Sequence, residues 1–125
     1  MLFDTDVLIW VFRGSARAAA AIDAEEERNI SVVNYLELIQ GARDKRELRL
    51  IRSFLKDLGF DVIPLSENIG HRASVYIEEY TLRTGLRLAD ALVAATAVEH
   101  QLTLLSAETK HYRPISELKL KAFRP

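Results

Sequence analysis

Apolar residues along the chain form short continuous runs, separated by longer stretches in which they recur every three or four positions. The short runs cover residues 1–4, 29–33, 60–65 and 103–106, and runs of this length are typical of buried strands. The helical periods cover residues 7–12, 16–27, 35–42, 44–58, 66–84 and 86–100. A last strand is expected where Leu118, Leu120 and Ala122 alternate with lysines. This alternation predicts an α/β fold with a mainly parallel sheet, formed by residues 1–125 as a single domain.

Polar residues at the ends of these runs set the expected boundaries. Thr5 or Asp6 is expected to cap the first helix, because either side chain can accept a hydrogen bond from the first turn. Asn34 is expected to cap the third helix, with Glu37 closing a capping box three residues later. Pro64 cannot donate to a strand ladder, so the third strand is expected at an edge of the sheet.

The helix that begins near residue 86 carries an unusual charge. From Leu88 onward its sequence, LADALVAATAV, is apolar or small on every side, which predicts a helix that is buried all round. Asp90 is the one charged residue in this stretch. Burying an ionised carboxylate is costly unless partners or a metal ion compensate. Asp90 is therefore expected to meet such a partner or, more simply, to complement the positive end of the helix dipole.

Three further acids are expected at the same edge of the sheet. In parallel sheets, ligands bind beyond the carboxyl ends of the strands, where the following helices begin. Asp4 and Glu108 follow predicted strands directly, and Glu37 lies near the start of a predicted helix. Because acids at one edge repel one another, the pattern predicts a cation between them. Oxygen ligands without nearby cysteine or histidine suit Mg²⁺ or Mn²⁺, and a water bound to such an ion can attack a phosphodiester.

Composition and charge restrict the partners. The chain has 49% hydrophobic residues, no cysteine and no apolar run long enough to cross a membrane. Without cysteine or a basic and apolar leader, a cytoplasmic location is expected. The net charge is -1, so a nucleic acid would have to bind a local basic patch. Two stretches are candidates, although such runs are also typical of solvated helix faces: Arg43, Lys45, Arg46, Arg49, Arg52 and Lys56, and then Lys110, Arg113, Lys119, Lys121 and Arg124.

Five segments, in this order and at these spacings, resemble a known family. They are FDTDVLI at the start, YLELIQGA around Glu37, LADALVAATAVEHQLTLLS around Asp90, then ETKHY, and the closing ISELKLKAF. Together they are similar to PIN-domain proteins, and most closely to the VapC-like toxins of toxin–antitoxin pairs. The resemblance implies a three-layer α/β/α fold, Mg²⁺- or Mn²⁺-dependent endoribonuclease activity on RNA, neutralisation by a cognate antitoxin protein, and a homodimer.

The same resemblance suggests a role for each acid. Carried over by motif, Asp4, Glu37 and Asp90 are the core catalytic acids of the metal site. Asp6 occupies an accessory position that varies within the family. Glu108 stands where the family usually has Asp or Asn. Its carboxylate is one methylene farther from the backbone, so Glu108 is expected to be a weaker catalytic or metal ligand, or one that acts through a water.

Other polar side chains are accessory candidates. The hydroxyls of Thr5 and Ser106 can orient a water at the metal, or they are ordinary turn and cap residues. Residues of the two basic stretches could contact the substrate. The candidate RNA contacts are Arg43, Arg46, Lys110 and His111, with Tyr112 beside them.

Two other functions are compatible with the sequence. The run Asp4, Thr5, Asp6 after an apolar strand is also typical of haloacid dehalogenase-type phosphatases, although a late paired-acid motif is missing. A catalytically silent PIN-like module would bind RNA or a protein without cleaving it, but three core acids are present. The apolar residues of 35–42 and 48–58 exceed what one sheet can cover, which predicts a groove for an antitoxin segment.

Overall fold

The computed structural model describes all 125 residues and contains five strands and six helices. The strands are β1 (Leu2–Phe3), β2 (Asn29–Ser31), β3 (Asp61–Ile63), β4 (Leu104–Ser106) and β5 (Leu120–Ala122). The helices are α1 (Thr5–Phe12), α2 (Ala16–Asp23), α3 (Val32–Gln40), α4 (Lys45–Asp57), α5 (Glu67–Thr84) and α6 (Leu88–Glu99). None of the helices combines the length and the apolar character needed to cross a bilayer.

The strands form one parallel sheet in the order β3-β2-β1-β4-β5. Its strands carry neighbouring residues to opposite faces, since Leu2 and Leu104 belong to one hydrophobic cluster while Phe3 and Leu105 belong to another. Helices α5 and α6 cover the first face, and α1 to α4 cover the second. The predicted three-layer α/β/α fold is thereby confirmed, and β3 lies at the edge, where Pro64 placed it.

The start of α3 differs from the prediction. β2 ends at Ser31, whose hydroxyl caps the helix by accepting a hydrogen bond from the Val33 N–H at 3.1 Å. The predicted cap at Asn34 and its capping box with Glu37 are wrong. The β-branched pair Val32 and Val33 extends the apolar run of the strand, so sequence alone placed the strand end too late. The earlier start leaves the side chains of Asn34 and Glu37 available for other contacts.

Two further boundaries are corrected by the structure. Asp4 itself caps α1, where Thr5 or Asp6 was expected, because Asp4 is the last residue with extended backbone before the helix. Leu88 is 66% exposed, so α6 is not buried all round from its first residue. Burial is nearly complete only between Ala91 and Ala97, where the helix packs against α5 and the sheet. The first turn of α6 therefore reaches the surface.

Gly85 has a conformational role that can be tested against a second glycine of the same helix. It ends α5 with φ +76°, and its N–H donates to the Thr81 carbonyl at 2.8 Å. Gly85→Ala should lower the free energy of unfolding by about 1 kcal/mol, since a Cβ is strained in this left-handed region. Gly70→Ala lies inside the helix with open space around it and should raise the same quantity by about 0.5–1 kcal/mol. Urea denaturation measures both, and equal changes would contradict the assignment.

Candidate metal centre

A pocket opens at the carboxyl edge of the sheet, where β1 ends and α1, α3 and α6 converge. Its volume is about 210 Å³. We call it the acidic pocket, and its polar lining consists of Asp4, Thr5, Asp6, Asn34, Glu37, Asp90 and Tyr112. Four acids from three distant segments are thus brought to one opening, as expected for an edge at which parallel strands end.

Asp4 is the most enclosed of these acids. It lies at the junction between β1 and α1, with 9% of its surface exposed. Its Oδ1 accepts hydrogen bonds from the Thr5 N–H at 2.9 Å and the Asn34 amide at 3.0 Å. Its Oδ2 accepts from the hydroxyls of Ser106 at 2.7 Å and Tyr112 at 3.1 Å. Four donors therefore fix both carboxylate oxygens.

Asp6 connects α1 to the turn that follows β4. Its Oδ2 accepts hydrogen bonds from the backbone N–H groups of Ala107 and Glu108, both at 3.0 Å. The Ser106 hydroxyl lies 3.3 Å from the same oxygen. Its Oδ1 is buried without a hydrogen-bond partner. Asp6 thus shapes the pocket wall and leaves one oxygen unused.

Glu37 and Asp90 are the outer acids of the pocket. Glu37 is exposed, and its Oε1 accepts a hydrogen bond from the Thr5 hydroxyl at 3.1 Å. Asp90 is the third residue of α6, and its Oδ2 lies 3.4 Å from the Arg87 N–H, a bond that supports the start of the helix. Its Oδ1 lies 3.5 Å from the Tyr112 hydroxyl. Both explanations considered for Asp90 therefore describe it: the carboxylate complements the helix start and also faces the pocket.

The carboxylate of Glu108 lies outside the lining of the acidic pocket. Its Oε2 accepts a hydrogen bond from the His111 N–H at 3.4 Å and is 3.6 Å from His111 Nδ1. The side chain is 38% exposed. Only the backbone of Glu108 contacts the other acids, through its N–H to Asp6. The structure therefore brings Asp4, Glu37 and Asp90 together and leaves the Glu108 carboxylate beside them.

The two accessory hydroxyls are both engaged with carboxylates. Ser106 is fully buried, donates to Asp4 and accepts a hydrogen bond from the Glu108 N–H at 3.0 Å. Thr5 donates to Glu37. Both side chains thus orient acids of the pocket; Ser106 also holds the turn after β4 through the Glu108 N–H, and Thr5 is not the cap of α1.

Known proteins match this chain over nearly its whole length. The sequence profile of the PIN domain matches residues 1–115. The chain belongs to the PIN domain family. The prediction drawn from the five motifs is confirmed, including the likeness to VapC proteins described next.

Sequence relatives of this PIN domain include two VapC proteins. A VapC ribonuclease of Pyrococcus furiosus is 31% identical over 94% of this chain and 80% of that protein. Ribonuclease VapC10 of Mycobacterium tuberculosis is 34% identical over 95% of this chain and 90% of that protein. These relatives make the chain a VapC-like member of its family.

Solved structures with the same fold include toxin–antitoxin complexes. A chain of a toxin–antitoxin complex from Klebsiella pneumoniae has a TM-score of 0.80 and 32% identity, covering 94% of this chain and 93% of that one. A chain of VapBC-1 from nontypeable Haemophilus influenzae has a TM-score of 0.83 over 97% of this chain and 96% of that one. Its 18% identity makes it a likeness of fold alone.

The electrostatics of this PIN domain reflect burial of like charges. Burial raises the pKa of Asp4 above its ordinary value, against hydrogen bonds from Ser106 and Thr5 that act to lower it. Burial and then the charge of Asp4 raise the pKa of Asp6 to about 6. Burial also raises the pKa of Glu37. Each of these carboxylates is therefore less readily ionised than in water. A bound cation would stabilise their charged forms.

The donors of the acidic pocket fit a hard divalent cation. Two buried acceptors, Asp6 Oδ1 and Asn34 Oδ1, have no hydrogen-bond partner, and both residues line the pocket. Unpaired buried acceptors are costly, and a cation or its bound waters would satisfy them. Three or more acids or histidines are nowhere gathered closely enough to hold an ion by themselves. This arrangement fits Mg²⁺ or Mn²⁺, which use one or two carboxylates and keep several waters.

The predicted RNA contacts differ in how exposed they are. Arg43, Arg46 and Lys110 are exposed, and Arg43 pairs with Glu47 at 3.1 Å. His111 is mostly enclosed, with Nδ1 3.5 Å from an Asp90 oxygen. Tyr112 is only 1% exposed, so the suggestion that it contacts RNA is wrong. Its ring is buried because it packs in the hydrophobic cluster beneath α5 and α6.

Sequence analysis gave other roles to two side chains of the site, a helix cap to Asn34 and an RNA contact to Tyr112. Asn34 is 1% exposed and donates to Asp4. A signal for it existed, because residues three apart share a helix face and Glu37 was already a candidate. Tyr112 lies in a turn segment without helical or strand periodicity, so the sequence carried no comparable signal. Burial and the charges of Asp4 and Asp90 raise its pKa well above the usual range, which keeps the phenol protonated.

The raised pKa of Asp6 predicts a pH-dependent stability. Between its ordinary pKa of 3.8 and about 6, the folded state binds a proton that the unfolded state releases. The contribution of Asp6 to stability therefore falls as pH rises through this window. In EDTA, Asp6→Asn should raise the melting temperature over the parent at pH 7.5, with a smaller gain at pH 4.5. The exposed Asp61→Asn should stay close to the parent at both values, and a gain for Asp6→Asn that does not change with pH would contradict the assignment.

Proposed function

We propose that this PIN domain is a metal-dependent endoribonuclease that acts as the toxin of a type II toxin–antitoxin pair. The observation that carries the proposal is the acidic pocket, where Asp4, Glu37 and Asp90 meet from distant segments. Relatives at 31% and 34% identity are named ribonucleases, and a matched structure at 32% identity comes from a toxin–antitoxin complex. RNA is thus the substrate and an antitoxin protein the partner.

The residues of the pocket have different roles in phosphodiester hydrolysis. Asp4 and Asp90 would hold Mg²⁺ or Mn²⁺, with Glu37 and Asp6 binding through waters. When bound, the ion neutralises charge on the phosphate and lowers the pKa of a bound water. Asp4 is already fixed by its four donors and so needs little reorganisation. Glu37 is exposed at the mouth, where its carboxylate can accept a proton from an incoming water.

The two alternative functions, a phosphatase and a catalytically silent module, have less support. The phosphatase alternative finds no support in the family match, which is to the PIN domain. A silent module would have no need of the buried carboxylate of Asp4 with further acids beside it, because burying a carboxylate is costly without a functional return. The homodimer, the cytoplasmic location and the choice between Mg²⁺ and Mn²⁺ stay predictions.

The activity can be tested with purified chain freed from any antitoxin. It should cleave single-stranded RNA in Mg²⁺ or Mn²⁺ and be inactive in EDTA. Asp4→Asn and Asp90→Asn each remove an anionic ligand and should slow cleavage by about 100-fold. The exposed Asp61→Asn serves as a control and should cleave like the parent. RNA binding by the parent without cleavage would favour the silent module, and full activity in both pocket variants would place the site elsewhere.

A groove beside the pocket is the candidate antitoxin surface. Two adjoining cavities of about 520 and 580 Å³ run along α1 and α4, and the first shares Thr5, Ile9 and Glu37 with the acidic pocket. We call this the α1–α4 groove, lined among others by Ile9, Phe12, Arg43, Leu50, Ile51 and Phe54. The sequence placed a groove between α3 and α4; α3 lines the first cavity through Glu37 and Leu38, and α1 forms a further wall. Phe12 is 43% and Leu50 58% exposed, an apolar surface that suits an amphipathic segment.

The groove predicts which substitutions weaken a partner. After co-expression with the protein of the adjacent reading frame, a stable complex is expected. Leu50→Glu puts a charge into the apolar groove and should weaken the complex at least tenfold, as measured by calorimetry. Leu82→Glu lies on α5, where the parent side chain is 99% exposed, and should leave the affinity unchanged. Unchanged affinity in Leu50→Glu would exclude the groove as the docking surface.

A further inference from the structure

Tyr112 lies where two acids from distant parts of the chain meet. Its hydroxyl oxygen is 3.1 Å from Asp4 Oδ2 and 3.5 Å from Asp90 Oδ1. Its single hydroxyl proton is shared between the two carboxylates, and no other side chain donates to both of them. The side chain is 1% exposed, so bulk water does not compete for this hydroxyl.

We propose that Tyr112 is a positioning residue whose hydroxyl sets the spacing between the carboxylates of Asp4 and Asp90 and thereby the affinity of the site for a divalent cation. This inference rests on the metal centre described under the proposed function. It assigns to Tyr112 a role beyond filling the hydrophobic core. In this role Tyr112 acts through the two acids and does not contact RNA.

The ring and the hydroxyl of Tyr112 have separate partners. The ring packs in the cluster that contains Tyr80, Leu86 and Ala91, which fixes where the hydroxyl can reach. A phenylalanine would pack in the same way. A buried phenol hydroxyl needs a hydrogen-bond partner, and here both available partners are acids of the pocket. The oxygen therefore distinguishes a positioning role from a packing role.

The two acids depend on Tyr112 to different degrees. Without the hydroxyl, Asp4 keeps three donors, from Thr5, Asn34 and Ser106. Asp90 keeps only the long bond from the Arg87 N–H at 3.4 Å, and His111 Nδ1 at 3.5 Å. Loss of the hydroxyl should therefore displace Asp90 more than Asp4. Partners that orient metal-binding side chains typically change the affinity about 10- to 100-fold when they are removed.

Tyr76 provides a matched control for the experiment. It is buried, and its hydroxyl also donates to a carboxylate, that of Glu117. Neither Tyr76 nor Glu117 lines the acidic pocket. Tyr76→Phe thus removes the same kind of hydrogen bond from another member of the same hydrophobic cluster.

The test measures Mn²⁺ binding by isothermal titration calorimetry on the full chain, with melting temperatures recorded in EDTA. Tyr112→Phe should weaken Mn²⁺ binding about tenfold, while Tyr76→Phe binds like the parent. In the Asp90→Asn background, Tyr112→Phe should change the remaining affinity less than threefold, since the carboxylate that depends on it is gone. Parent-like Mn²⁺ binding in Tyr112→Phe overturns the proposal, even if its melting temperature falls.

The same titration separates this inference from the metal site itself. If the parent binds Mn²⁺ and Asp4→Asn does not, the metal site is supported. The affinity of Tyr112→Phe for Mn²⁺ then tests the positioning role by itself. If the parent fails to bind Mn²⁺, or Asp4→Asn binds it equally well, both the metal site and the role of Tyr112 are overturned. An equal loss of affinity in Tyr76→Phe and Tyr112→Phe shows a general effect on packing and also overturns the proposal.

Discussion

The enclosed carboxylate of Asp4 is the constraint around which the rest of the structure is arranged. An acid that is 9% exposed loses most of its hydration, and that loss is tolerable only if hydrogen-bond donors replace the water. The donors come from the first turn of α1, from α3, from the end of β4 and from the turn that contains Tyr112. Each of these segments must therefore dock correctly for the acid to be buried. The site and the fold depend on the same contacts.

The position of the acids followed from the sequence because it depends on topology. Strands that run in parallel end at one edge, so an acid directly after β1 must lie near the start of the helices on that edge. Glu37 reached the pocket although its predicted helix start was wrong. The helix begins at Val32, which puts Glu37 in the second turn, yet one helical turn is short enough to leave it at the mouth.

The partners of those acids could not be read from the sequence in the same way. Ser106 and Asn34 are small polar residues whose side chains fit a cap or a turn equally well, and only the three-dimensional approach of β4 and α3 to Asp4 decides between these uses. The side chain of Glu108 turns toward His111, a local choice of rotamer that no periodicity encodes. Sequence pattern thus located the charges, while the tertiary contacts determined how each charge is held.

Two of the bonds to Asp4 come from residues far away in the sequence, and this determines when the acidic pocket can form during synthesis. Ser106 and Tyr112 are 102 and 108 positions from Asp4 along the sequence. During synthesis the first acid leaves the ribosome long before these donors exist, and domains fold from contacts already available. A nascent chain therefore holds its acids apart, with β1 lacking its β4 neighbour and the pocket wall incomplete. A site built in this way forms only after β4 and the turn that contains Tyr112 have been synthesised, so the acidic pocket stays incomplete until these segments have left the ribosome.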